Sequence, residues 1–173
     1  MSFLYTQLTE SELSIIQNVG RQTYEPYYSH LWKPGGVDWY MEQCFGLETL
    51  NSELKNPNVE YWLAADQSGS IVGFLKLLLK KPLPEKGLEN ALYLEKIYLM
   101  PAFFGKGNGR IMMEFVRQRA ITLRREAIWL MVLKSGPVKA YEKAGFQIVG
   151  AVHWDFELLL PAERGGWVMM QVL

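Results

Sequence analysis

Gly105-Lys106-Gly107-Asn108-Gly109-Arg110 stands between two patterns that give it meaning. Before it, and connected through Pro101, lies the apolar, β-branched run Tyr93-Leu94-Glu95-Lys96-Ile97-Tyr98-Leu99. After it, Ile111, Met112, Phe115, Val116 and Ala120 recur at helical spacing. A strand, a glycine loop and a helix in that order aim several backbone N–H groups and the positive end of a helix dipole at one spot. Such a spot binds an anion, most often a phosphate. Two common phosphate motifs fail on residue identity. A Walker loop needs Ser or Thr after its Gly-Lys, and Gly107 follows Lys106. A dinucleotide fingerprint needs glycine three places after Gly107, where Arg110 stands.

Downstream, Ile128-Trp129-Leu130-Met131-Val132-Leu133 reads as a buried strand. Ser135-Gly136-Pro137 then opens a helix that carries Val138, Tyr141 and Ala144 and stops at Gly145. Phe146 to Gly150 resumes as a strand. Upstream, a short strand is expected near Phe3 to Thr6. Thr9-Glu10-Ser11-Glu12 is a capping box leading a helix with Leu13, Ile16 and Val19. Tyr24 to Gly36 mixes aromatics with Pro and Gly and reads as an irregular connection. A second helix is expected after Gly36, capped by Asp38 and running through Met41, Phe45 and Leu47. Tyr61 to Asp66 and Ile71 to Lys80 read as strands joined by the turn-rich Gln67-Ser68-Gly69. The fold class is α/β, a mixed, mostly antiparallel twisted sheet of six to seven strands with helices on both faces.

A length of 173 residues fits a single domain over 1–173. Hydrophobic residues make up 49% and charged residues 21%, so the chain can bury a core and is too apolar for disorder. One cysteine, Cys44, rules out an internal disulfide and suits a reducing, cytoplasmic setting. Eighteen basic against eighteen acidic residues give no electrostatic case for nucleic acid, and no apolar run is long enough to span a membrane. His30 and His153 are isolated and lack metal-ligand spacing.

Leu-Glu-Lys-Ile-Tyr-Leu, Gly-Lys-Gly-Asn-Gly-Arg and Ala-Tyr-Glu-Lys-Ala-Gly-Phe, in this order, resemble the GNAT superfamily of acyl-CoA-dependent N-acyltransferases. The likeness covers about Val59 to Leu173. In the N-terminal part, Gln22 to Tyr27, Leu50 to Pro57 and Gly73 to Leu77 resemble the bacterial spermidine/spermine N-acetyltransferases. The resemblance implies that acetyl-CoA is the co-substrate, with no metal. The backbone of Ile97, Tyr98 and Leu99 is then expected to pair with the pantetheine arm. Gly105, Lys106, Gly107, Asn108, Gly109 and Arg110 are expected to hold the pyrophosphate, and Lys134, Ser135 and Lys143 to approach the adenosine. The chain departs from the family at Phe104, where Arg or Gln is usual, and in a shortened stretch at Lys134-Ser135.

Acetyl transfer to an amine sets its own requirements. An alkyl ammonium with a pKa of about 10.4 costs roughly 4–5 kcal/mol to deprotonate at pH 7, so a base is needed. The leaving thiolate needs a proton, and a tyrosine suits that step. The resemblance assigns it to Tyr141, with packing of its helix as the alternative. Glu95, a carboxylate inside an apolar strand, is the candidate base or ammonium holder. Alternation puts it on the face of Tyr93 and Ile97, and pairing with Lys96 or Lys76 is the plainer alternative. Glu25 is a second acidic candidate at the substrate mouth. Cys44 is remote in sequence from these motifs, so no covalent nucleophile is assigned. The expected reaction is direct transfer to a small primary amine, a polyamine being favoured. The alternatives are a protein N-terminal or lysine acetyltransferase and a non-catalytic acyl-CoA-binding module. Trp32, Trp39 and Trp154 are candidates for a pocket wall or a homodimer contact.

Overall fold

The structure, a computed structural model, describes residues 2–173. β1 (Leu4–Leu8) leads through the Thr9–Glu12 box into α1 (Leu13–Tyr28). The Thr9 N–H donates to the Glu12 carboxylate at 2.7 Å, as the capping pattern requires, and the Thr9 hydroxyl donates a further bond to the same carboxylate. The stretch from Tyr24 to Gly36, expected to be irregular, begins as the last turn of α1, which continues past Pro26 to Tyr28. A short 3₁₀ turn at Ser29–Leu31 and irregular backbone fill the rest. A mid-helix proline costs about 3 kcal/mol. The helix holds here because Tyr24 and Tyr28 stack at 4.8 Å and both pack edge-on against Tyr98, anchoring the turn that Pro26 weakens. The next expected helix is two, α2 (Gly36–Phe45) and α3 (Leu47–Lys55), broken at Gly46.

β2 (Val59–Ala65), β3 (Ile71–Leu78) and β4 (Ala91–Leu99) come next, then α4 (Asn108–Thr122), β5 (Ala127–Leu133), α5 (Val138–Lys143), β6 (Gln147–His153) and β7 (Gly165–Val172). They form one seven-stranded sheet in the order β1-β2-β3-β4-β5-β7-β6. Every neighbouring pair is antiparallel except β4 and β5. On one face, α4 lays Met112, Met113, Val116 and Ala120 over Leu75, Leu77, Leu92, Leu94 and Leu130, and Val138 and Tyr141 of α5 pack alongside with Ala144, which caps that helix. On the other, α1 to α3 bury Ile16, Val19, Tyr24, Met41, Phe45 and Leu50 against Tyr61 and Phe74. Each such large apolar side chain contributes roughly 1.5–3 kcal/mol.

Two irregularities in β4 open the middle of the sheet. Pairing with β3 jumps from Lys96↔Lys76 to Leu94↔Leu77, so Glu95 has no partner and forms a bulge. The bulge breaks the alternation expected from sequence. Ile97 joins Leu94 and Leu99 on the α4 face, whereas Tyr98 lies with Phe74 on the α1 face. Pairing with β5 is also short: it covers only Ala91 to Tyr93 against Ala127 to Trp129. Beyond Tyr93 the two parallel strands part, and the edge of β4 from Glu95 to Leu99 faces a wedge instead of a neighbour.

Candidate active site

The wedge opens into a cavity of about 950 Å³ that passes through the sheet. Its floor is Glu95 to Leu99 of β4 with Met131 and Leu133 of β5. On the α4 face it is walled by Gly105, Gly107, Gly109, Arg110, Met113 and, from α5, Lys139, Tyr141 and Lys143. On the α1 face it is walled by Tyr24, Tyr28, Trp32, Tyr40, Cys44, Trp154 and Phe156. The motifs singled out from sequence thus converge from separate elements on one space.

At the glycine loop, Gly105 and Gly107 take φ of +73° and +80°, a left-handed conformation that L side chains rarely adopt. Asn108 is buried and its amide donates to the Phe103 carbonyl at 2.8 Å, fastening the loop from behind. Phe103 and Phe104 spend their N–H groups on Met100 and Pro101, and Arg110 returns its N–H to Gly107. The backbone N–H groups of Gly105 through Gly109 donate to no described residue, so a run of free N–H groups sits at the N-terminus of a fifteen-residue helix. Lys106 is not part of this wall: its ammonium folds back onto the Ala102 carbonyl at 2.8 Å. Phe104 is half exposed and stacks on Tyr27 at 4.4 Å, tying the loop to α1.

Tyr141 comes from α5 with its ring edge-on to Phe146 at 6.1 Å. No described residue hydrogen-bonds its hydroxyl, and no buried polar side-chain atom among the described residues lacks a partner, so the hydroxyl opens into the cavity. Burial, with a smaller push from Tyr28, raises its pKa well above the ordinary tyrosine value. The group therefore stays protonated and able to donate. Tyr28 itself, raised by burial in the same way, faces it from α1.

Glu95 is held by Lys76 at 2.7 Å and by Lys96 at 3.0 Å. Lys76 also grips Glu53 at 2.5 Å, and Glu53 accepts from the Tyr61 hydroxyl at 2.5 Å. Both lysines are buried, at 4% and 6% exposure. Burial acts to raise the Glu95 pKa, but Lys96 and Lys76 outweigh it and the net shift is downward. Burial would lower Lys96, yet Cys44 and Glu95 beside it push it upward. Glu95 thus pairs with both Lys76 and Lys96, which with Glu53 make a cluster of two carboxylates and two ammonium groups, and the bulge turns it toward them.

Other sequence candidates lie elsewhere. Glu25 is paired with Arg21 on the outer side of α1 and does not line the cavity. The Lys134 ammonium rests over the Trp167 ring of β7 at 4.6 Å, and the Ser135 hydroxyl donates to Glu163 in the turn before β7 at 2.5 Å. Trp32 is buried rather than exposed and donates to the Tyr24 hydroxyl at 2.9 Å. Trp32 and Trp154 are cavity walls. Cys44, remote in sequence, is brought to the same cavity by α2. His153 is exposed and pairs with Asp155 at 3.1 Å. Among the described residues no cluster of His, Cys, Asp or Glu could hold a metal, and no helix is long and apolar enough to cross a membrane. Sequence reasoning missed Tyr28, Tyr40 and Lys81. For Tyr28 the i, i+4 spacing from Tyr24 was the available signal.

Comparison with known proteins agrees with this layout. The structure of PaiA N-acetyltransferase from Thermoplasma acidophilum in complex with coenzyme A matches over 100% of both chains, with a TM-score of 0.76 at 17% identity. A spermidine N-acetyltransferase SpeG chimera from Vibrio cholerae and hSSAT matches with a TM-score of 0.67 at 18% identity, covering 99% of this chain and 96% of that one. A protein of Lactobacillus delbrueckii subsp. lactis, described as an uncharacterized N-acetyltransferase in the pepI 3′ region, is 26% identical over 127 residues, 73% of this chain and 72% of its own length. The family model described as "Acetyltransferase (GNAT) family" matches residues 21–146, from α1 to the start of β6 and across the whole wedge. A sheet that parts beside a free-amide glycine loop is therefore no isolated likeness, and the chain belongs to the GNAT acetyltransferase family, the acetyl-CoA-dependent acetyltransferases.

Proposed function

We propose that the protein moves an acetyl group from acetyl-CoA to a small primary amine by direct transfer in a ternary complex. The observation that carries this reading is the joining of the Gly105–Gly109 amides and the Tyr141 hydroxyl by one cavity that crosses the sheet. Free N–H groups, a helix N-terminus and the cations Arg110, Lys139 and Lys143 suit a pyrophosphate, and the unpaired edge of Ile97 to Leu99 suits the amides of a pantetheine arm. Acetyl-CoA supplies a thioester whose carbonyl carbon an amine nitrogen can attack, breaking the C–S bond as the C–N bond forms. Tyr141 donates its hydroxyl proton toward the leaving sulfur. Strand-edge N–H groups of β4 polarise the carbonyl oxygen. Glu95, already a carboxylate between two ammonium groups, is a weaker base than an isolated glutamate. We assign it to fixing Lys96 and the bulge, with the acceptor's proton leaving to water at the cavity mouth.

Cys44 in the cavity favours a second reading, an acetyl-cysteine intermediate. Initial rates over both substrates separate the two: intersecting lines support the ternary complex, parallel lines with an acetylated Cys44 by mass spectrometry support the covalent route. Thiol release from acetyl-CoA across a panel of small amines tests the activity itself, and its absence with every amine overturns this proposal.

A further inference from the structure

Resting on that reading, a deeper inference concerns the acceptor. The α1-face half of the cavity is built from rings packed in a chain, with Trp32 on Tyr40 at 5.0 Å, Tyr40 on Tyr24 at 5.0 Å and Tyr24 edge-on to Tyr98 at 5.8 Å. Glu95 is the one acidic residue that lines the cavity among the described residues. Its charge is already matched by Lys76 and Lys96. Glu25, which could have offered another carboxylate, faces Arg21 outside. A polycation would therefore leave water for a half-site that offers no unspent negative charge.

The same half-site does offer an unspent positive one. Lys81 lines the cavity with its ammonium 4.1 Å from the centre of the Tyr93 ring and 5.3 Å from that of Trp129. None of the ion pairs among the described residues includes it, in contrast to Lys76 and Lys96. Burial lowers its pKa, against a smaller upward push from Glu95. Tyr93 and Trp129 are the last paired residues before β4 and β5 part, so Lys81 stands at the apex of the wedge. An anionic group brought there would gain a partner without displacing one.

We propose that the acceptor is a monoamine with a ring-bearing or bulky apolar body and one anionic group, and that Lys81 holds the anionic group. A bulky amino acid has this chemistry; a polyamine does not. L-Phenylalanine and 2-phenylethylamine differ only in the carboxylate, and spermidine is the polycationic comparison. The expected order of kcat/KM is L-phenylalanine, then 2-phenylethylamine, then spermidine. Lys81→Met is expected to raise KM for L-phenylalanine about tenfold more than KM for 2-phenylethylamine. Lys81→Arg, which keeps the charge, is expected to retain the preference. Calorimetric titration of the same three compounds into the coenzyme A-bound protein reads the acceptor class without turnover. Preferential binding of L-phenylalanine with no thiol release overturns the catalytic reading and supports this one. A preference for spermidine, an equal response of both ring-bearing amines to Lys81→Met, or binding of neither overturns the inference.

Discussion

Tyr141 and Gly107 make opposite demands on one cavity, and single substitutions separate them. Tyr141 reaches the space with a hydroxyl that no neighbour claims, so Tyr141→Phe removes a donor while leaving the packing on Phe146 in place. Loss of general acid assistance is worth about 10²-fold in kcat. The expected outcome is that fall in turnover with coenzyme A affinity nearly intact, read by steady-state kinetics and calorimetry together; unchanged kcat removes Tyr141 from the chemistry. Gly107→Val acts on the other side. At φ +80° a β-branched residue costs about 1–3 kcal/mol in strain; its Cβ would meet nothing within 4 Å, so the effect falls on the backbone conformation that presents the free amides. Coenzyme A affinity is expected to fall at least tenfold, a loss of about 1.4 kcal/mol in binding. Gly107 stood out in the sequence because glycine punctuation is a local signal, whereas Tyr141 was picked out by the family resemblance and not by its place on a short helix. The side chains of Lys134 and Ser135 are claimed by Trp167 and Glu163, partners that only the fold brings near, whereas Arg21 lies one helical turn before Glu25 and that pair was within reach of an i, i+4 reading.

Among the elements, β4 carries the most consequence per residue. Its existence and apolar character could be read directly, and so could the order of strands and helices around it. The bulge at Glu95 could not, since register is set by what β3 presents opposite, Lys76 and Leu77 on successive faces. That slip decides which residues meet the wedge and sets Glu95 at the centre of an ion-paired cluster. The same limit applied to α1, where Pro26 signals a stop that the aromatic contacts of Tyr24 and Tyr28 override. Glu95→Gln should therefore show itself in stability. It leaves Lys96, 6% exposed, without its carboxylate partner, which costs about 2–3 kcal/mol once the partial exposure of Glu95 is allowed for. The sign with pH comes from the direction of the Glu95 shift. Its folded-state pKa lies below the unfolded value, so its contribution is present above the unfolded carboxylate range and is lost as pH falls through the folded one. Urea midpoints taken from pH 6 down to pH 3 should fall for the wild type and stay flatter for Glu95→Gln. Parallel pH profiles for the two proteins would show that the lysine cluster does not hold Glu95.

At the scale of the whole molecule, the sheet is two parts joined by three paired positions, Ala91 to Tyr93 with Ala127 to Trp129. β1 to β4 belong to one part and β5 to β7 to the other. α4 and α5 pack across the junction on one face, but between Glu95 and Leu99 the strands share no hydrogen bonds. A ligand that lies along that open edge and reaches the Gly105–Gly109 amides contacts both parts at once and binds the folded chain alone. Mass action then makes it a stabiliser: at a hundredfold excess over its Kd it contributes about 2.7 kcal/mol. For a chain of this length each kilocalorie moves Tm by about 2–4 °C, so coenzyme A is expected to raise Tm by about 5–10 °C. The gain should be concentrated in the wedge, with slower amide hydrogen exchange for residues 95–99 and little change in β2, whose edges are already paired with β1 and β3. Gly107→Val should lose most of the Tm gain at the same ligand concentration. A uniform slowing across all strands, or a Tm rise that Gly107→Val leaves intact, would mean that coenzyme A binds somewhere other than the parted strands, and the chemistry assigned to Tyr141 would lose its thioester.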